Sequence, residues 1–228
     1  MEKQAKQRIL AEEEELLTSE QVRLAAEISG GSKMFKDVIE TITGHKVIAY
    51  DMSDHNCRTI DKYLKEANRQ ILYKSAVTTK RVNESSNGLE EPYSEILRGL
   101  GLIVEKPLGR NSGYPDRLVI VPLVEYPVYL EIKTTGDLNK PSNFRAFYMS
   151  GMIDKVTRSA HHVCVAFEVE ERYVTDSQSS LFQTSNQFVP EYKKYKRFVP
   201  VSAKVIDMSK KRMTLKSEWN CTGNELLR

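Results

Sequence analysis

Asp116, Glu131 and Lys133 are the residues whose types and spacing could do chemistry. Asp116 closes the string Gly113-Tyr114-Pro115-Asp116, and Glu131 and Lys133 lie in the later string Tyr129-Leu130-Glu131-Ile132-Lys133-Thr134-Thr135. Two carboxylates on adjacent strands can hold one hard divalent cation such as Mg²⁺, which takes oxygen ligands and keeps several waters. A cation held there can lower the pKa of a bound water and stabilise the extra negative charge of a phosphodiester transition state. A lysine two residues after the second acid can orient or deprotonate that water, or neutralise developing charge. A Glu-x-Lys on a strand, taken alone, is commonly a surface ion pair. With Asp116 brought beside them, the two side chains form instead the set of parts that hydrolysis of a phosphodiester needs.

Those side chains need a scaffold. Leu118 to Val121 and Val128 to Leu130 are apolar, β-rich runs separated by a segment with Pro122 and Pro127, which is a hairpin signature. Side chains alternate between faces along a strand, so Glu131 and Lys133 share one face and Ile132 takes the other. Leu89, Tyr93, Ile96, Leu97 and Leu100 form the apolar stripe of a helix that starts near Gly88 to Glu90, since Pro92 is tolerated in a first turn. That helix carries Glu90, Glu91 and Glu95, any of which could add a carboxylate. Leu102 to Val104 reads as a strand, Glu105 to Gly113 as a polar loop, Gly136 to Asn143 as another loop, and Phe144 to Arg158 as a helix. Val163 to Phe167 is a buried strand and Phe198 to Met208 an alternating one. The fold class is α/β (α+β), a mixed β-sheet flanked by helices.

Residues 1–80 read as a helical N-terminal region, with helices over Glu2 to Ile28, Lys33 to Thr43 and Thr59 to Tyr73. The polar loop Thr78 to Gly88 separates it from the core, residues 81–228. His161-His162 is expected at the surface or a helix end. Trp219 reads as core or as a base-stacking residue. The polar stretches Asp176 to Gln187 and Asn220 to Asn224 are candidate base readers, because Asn and Gln can pair bidentately with adenine.

The formal net charge of +3 says little, but its distribution says more. Residues 178–228 hold ten Lys or Arg against four acids, whereas residues 1–20 hold three against six. A cationic C-terminal quarter suits a polyanion-binding face. No apolar run approaches the ~20 residues needed to span a bilayer, and Ile9-Leu10 runs at once into four glutamates, so neither a membrane partner nor a signal peptide is expected. The expectation is a cytoplasmic protein. Three widely spaced cysteines without a CxxC suggest free thiols.

The spacing of Pro115-Asp116 and Glu131-Ile132-Lys133, together with Gly101 to Pro107 and Asn111, resembles the PD-(D/E)xK nuclease superfamily, and within it the type II restriction endonucleases of the EcoRV kind. That resemblance implies a restriction-endonuclease-like fold and Mg²⁺-dependent, sequence-specific cleavage of double-stranded DNA leaving 5′-phosphates. It implies Asp116 and Glu131 as metal ligands and Lys133 as the catalytic lysine. Glu90 is preferred as the third ligand, because Leu89, Tyr93, Ile96 and Leu97 match the apolar spacing around the superfamily's helix acid. Arg110 and Asn111 would lie along the minor groove, Thr134 and Thr135 against the DNA backbone, and Lys140, Asn220 and Asn224 would contact DNA. Cutting both strands of a palindrome implies a homodimer. A structure-selective nuclease and an inactive DNA-binding module of the same fold are the alternatives.

Overall fold

The run Val163 to Phe167 is apolar on both faces, so it can be stable only where both are covered. In the computed structural model, which describes residues 32–109, 113–140, 145–149, 155–172, 196–215 and 219–227, that run lies within the long strand β8 (Ala160–Arg172). β8 pairs parallel with β6 (Val128–Thr135) and antiparallel with β9 (Lys196–Asp207). β6 pairs antiparallel with β5 (Arg117–Ile120), which is the expected hairpin, and β5 pairs with β4 (Ile103–Glu105). β3 (Val77–Thr79) lies outside β9, and β2 (Val47–Ile48) runs parallel to the start of β8. These strands form a seven-stranded mixed sheet. A second, four-stranded sheet has the order β1 (Ser32–Met34), β10 (Arg212–Leu215), β11 (Trp219–Thr222), β7 (Arg145–Met149).

Alternation along β6 and β8 divides the interior in two. Leu130, Ile132, Val163, Val165 and Phe167 join a core with α2 (His55–Ile71) and α3 (Ser85–Gly99). Tyr129, Cys164 and Ala166 face the other way, into a core with α1 (Phe35–Thr43) and α4 (Gly223–Leu227). The sheet is thus flanked by helices, as expected of a restriction-endonuclease-like fold. Residues 35–71 contribute to both cores. α2 starts at a sequence-encoded cap: the Asp54 carboxylate accepts from the Asn56 and Cys57 amides, which would otherwise be orphaned. Tyr93 of α3 is fully buried and donates to Asn68 Oδ1 of α2 at 2.8 Å, so its hydroxyl is not left unpaired in the core.

Several expectations change. Arg145–Met149 is strand β7, pairing with β11, rather than part of a helix. Its Phe147 and Tyr148 suit a strand, and the neighbouring β11 supplies the ladder that periodicity alone could not reveal. The stretch Thr78 to Gly88 is not one loop: it finishes β3, passes through a short 3₁₀ turn (Val82–Glu84) and enters α3 at Ser85. Pro92 therefore sits inside α3, where the bond it cannot make is the one to the Gly88 carbonyl. The polar stretch Asn220 to Asn224 falls in β11 and the start of α4. His161 and His162 lie in β8 with 3% and 1% exposure, not at the surface. The N-terminal helices before residue 32, Arg110, Asn111 and the stretch Asp176 to Gln187 lie outside the described residues. Among the described residues no helix is long and apolar enough to cross a membrane.

Candidate active site

The hairpin brings the predicted residues together. The Asp116 amide donates to the Leu130 carbonyl at 3.1 Å, and the Asp116 Oδ2 accepts from the Ile132 amide at 2.8 Å. That second bond holds the carboxylate against the β6 backbone, between the peptides that carry Glu131 and Lys133. On β6 the Lys133 Nζ lies 2.7 Å from Glu131 Oε1. Glu131 is 1% exposed, and its Oε2 has no hydrogen-bond partner among the described residues.

Burial dominates the electrostatics of this carboxyl. It pushes Glu131 well above the ordinary carboxylate range, opposed by Lys133 and reinforced by the negative charges of Asp116 and Glu90. Burial also works against the Lys133 ammonium, but Glu131 and Asp116 outweigh it and hold the lysine above its ordinary value. Glu90 is raised as well, first by burial and then by Asp116, with Arg117 and Lys133 pulling the other way. Glu90 therefore shares the electrostatic neighbourhood of Asp116, Glu131 and Lys133. Glu91 does not: its side chain is 57% exposed, and Arg98 at 2.7 Å is the first cause of its lowered pKa.

A hard cation suits this chemistry. Glu131 Oε2 is buried without a donor, although Lys133 holds the other oxygen, and the charges of Asp116 and Glu90 oppose its ionisation, so this carboxylate is incompletely compensated. Among the described residues no three Asp, Glu, His or Cys side chains converge into a ready-made cage. Mg²⁺ does not require one, because it retains waters and is commonly held by one or two carboxylates.

The other candidates separate. Thr134 donates to the Val82 carbonyl at 2.6 Å and accepts from Ser85, and Thr135 donates to the Asp137 carbonyl at 3.1 Å, so both hydroxyls have partners within the chain. The Lys140 side chain is 86% exposed, 3.6 Å from Asp137. Asn220 lies in β11, a strand of the four-stranded sheet, and Asn224 in α4, which follows it. Of the cationic C-terminal quarter, Lys196 pairs with Glu171, Lys204 donates to the Leu227 carbonyl and Lys210 lies 3.7 Å from Asp207.

Sequence reasoning missed the residues that support the site. Arg117 is buried beside Asp116 and reaches Glu90, Glu91 and Ser94. Its signal was a charge at the start of an otherwise apolar strand, which burial obliges to pair. Tyr114 stacks on His162 with 5.9 Å between ring centres, and its hydroxyl shares a 2.6 Å hydrogen bond with His162 Nδ1. Burial, with His161 adding, drives His162 down to about 3, so this imidazole is neutral at ordinary pH. Lys155 donates to the Gly113 carbonyl at 2.7 Å. The approach to Asp116 is thereby fixed from two sides.

The chain is 25% identical to the type II restriction enzyme MjaV of Methanocaldococcus jannaschii over 221 residues, covering 84% of each chain. The model of the MjaV family of type II restriction enzymes matches residues 29–228, which takes in both sheets and every residue of the β5–β6 junction. The chain belongs to the type II restriction enzyme MjaV family.

Proposed function

We propose that this protein is a Mg²⁺-dependent endonuclease that cuts double-stranded DNA at a specific sequence and leaves 5′-phosphates. The observation that carries the reading is the convergence of Asp116, Glu131 and Lys133 at one hairpin, with a Glu131 oxygen buried and unpartnered. Membership of a restriction enzyme family supports DNA as the substrate.

In this reading Asp116 and Glu131 hold Mg²⁺, with Glu90 as a third carboxylate. Bound there, the ion supplies an activated water and positive charge against the scissile phosphate. The Ile132 amide fixes the orientation of the Asp116 carboxylate, which would help hold the ion, through Oδ2. Lys133, whose Nζ lies 2.7 Å from Glu131 Oε1, is placed to orient or deprotonate the attacking water or to neutralise charge gathering on the phosphate. Arg110 and Asn111 are proposed to follow the minor groove, Lys140 to contact a phosphate, and Asn220 and Asn224 to read bases. Thr134 and Thr135 would have to exchange their present partners to reach the backbone. Cutting both strands calls for two sites related by a two-fold axis, hence a homodimer.

Digestion of a plasmid of known sequence with Mg²⁺, followed by sequencing of the fragment ends, tests this. The expected result is discrete fragments sharing one short sequence at their 5′-phosphorylated ends, and no cutting with EDTA. Linear duplex left intact while branched DNA is cut would instead identify a structure-selective nuclease.

A further inference from the structure

Arg117 is 5% exposed, and a guanidinium taken that far from water must have its N–H groups satisfied. Its Nε donates to Ser94 Oγ at 2.9 Å, and one terminal nitrogen donates to Glu90 Oε2 at 3.0 Å and to the Asp116 carbonyl at 2.8 Å. The other donates to Glu91 Oε2 at 3.2 Å. The Ser94 hydroxyl donates in turn to the Glu90 carbonyl at 2.6 Å, and Glu91 Oε1 is held by Arg98 at 2.7 Å. One side chain thus ties the backbone of Asp116, which immediately precedes β5, to the carboxylate of Glu90, on α3. The hairpin fixes Asp116, Glu131 and Lys133 relative to one another. Within that hairpin it is Arg117 that reaches Glu90, which belongs to a helix on the opposite face of the sheet from Glu131.

We infer that Arg117 is a positioning residue: its planar fork holds Glu90 against the hairpin so that Glu90 Oε1 is available to the cation that Asp116 and Glu131 bind. The inference rests on the nuclease reading above and deepens it. A lysine at this position would keep the charge but could not hold Ser94, Glu90, Glu91 and the Asp116 carbonyl together.

Mn²⁺ binding without DNA, followed by electron paramagnetic resonance, tests the role without relying on cleavage. The variants are Glu90→Gln, Arg117→Met, Arg117→Lys and the pair Glu90→Gln with Arg117→Met. A group that orients a metal ligand typically contributes about 10–100-fold in metal affinity. Arg117→Met and Glu90→Gln should each weaken Mn²⁺ by about tenfold or more, and the double variant should be no weaker than Glu90→Gln alone. Arg117→Lys should fall with Arg117→Met, and it decides the matter if the methionine chain does not fold. Unchanged Mn²⁺ affinity in Arg117→Lys, or independent losses that add in the double variant, would overturn the role. Wild-type protein that neither binds Mn²⁺ nor cuts DNA would instead sink the nuclease reading beneath it.

Discussion

Glu131 directs one carboxylate oxygen to Lys133, 2.7 Å away, and buries the other with no hydrogen-bond partner among the described residues. A fold gains nothing from that second oxygen, and with Asp116 and Glu90 close by the ionised group is costly. Glu131→Gln should therefore abolish Mg²⁺-dependent cleavage while leaving the melting temperature in EDTA equal to or above that of the wild type. Thermal melts beside a cleavage assay check both halves. A large drop in stability with cleavage retained would mean that Glu131 is a structural residue.

The two neighbouring helix acids should behave differently. Glu90 sits with Asp116 and Lys133, whereas Glu91 is mostly exposed and pairs with Arg98. Exposed ion pairs contribute ~0–1 kcal/mol, so Glu91→Gln should change kcat/KM by less than about fivefold. Glu90→Gln should cost about tenfold or more, as expected for loss of a group that holds the metal site. The reverse order would show that the other face of α3 serves the site.

Gly88 marks the closest approach of α3 to β3. A Cβ there would collide with Cγ1 of Val77 and press its Cγ2 at 3.1 Å. Helix propensity favours alanine by about 1 kcal/mol, but overpacking costs ~1–3 kcal/mol, and the contact is with a β-branched side chain that has little room to turn. Gly88→Ala should be destabilising by up to ~2 kcal/mol in denaturant unfolding. Val77→Ala in the same chain should recover part of that loss.

How much of this was legible in the sequence depended on whether the signal was local. The hairpin was readable because its strands are apolar, β-rich runs and its turn carries two prolines, and the two-residue period of a strand placed Glu131 and Lys133 on one face. Apolar stripes gave the bodies of α2 and α3, but the Asp54 cap that starts α2 at His55 rather than Thr59 was not read. β7 was not readable: Arg145–Met149 is amphipathic at either period, and only β11, seventy residues on, decides it. The start of α3 was misjudged because Pro92 was taken to mark a first turn, while Gly88 marks a close approach to β3. Arg117 and His162 were missed for a related reason. Their importance comes from partners on α3 and in the Gly113 to Asp116 turn, which no spacing within β5 or β8 encodes.

His162 should make stability depend on pH. Its folded pKa, about 3, lies below the ordinary histidine value of 6.5, so between those values the unfolded chain binds a proton that the native state excludes. Its contribution is fully present above pH 6.5 and is lost as pH falls toward 3, with a limiting slope of about 1.4 kcal/mol per pH unit. Denaturant unfolding of wild type and His162→Gln at pH 7.5, 6 and 5 checks this. The variant should lose less stability on acidification, and parallel curves would contradict the assignment.

The central claim is that Asp116 and Lys133 serve catalysis rather than DNA binding or folding. The most direct measurement is cleavage of plasmid DNA in Mg²⁺, alongside DNA binding in Ca²⁺, by wild type, Asp116→Ala and Lys133→Ala. The account predicts discrete cleavage by the wild type alone, with all three proteins still binding DNA. Cleavage by either variant at a rate near that of the wild type would contradict it.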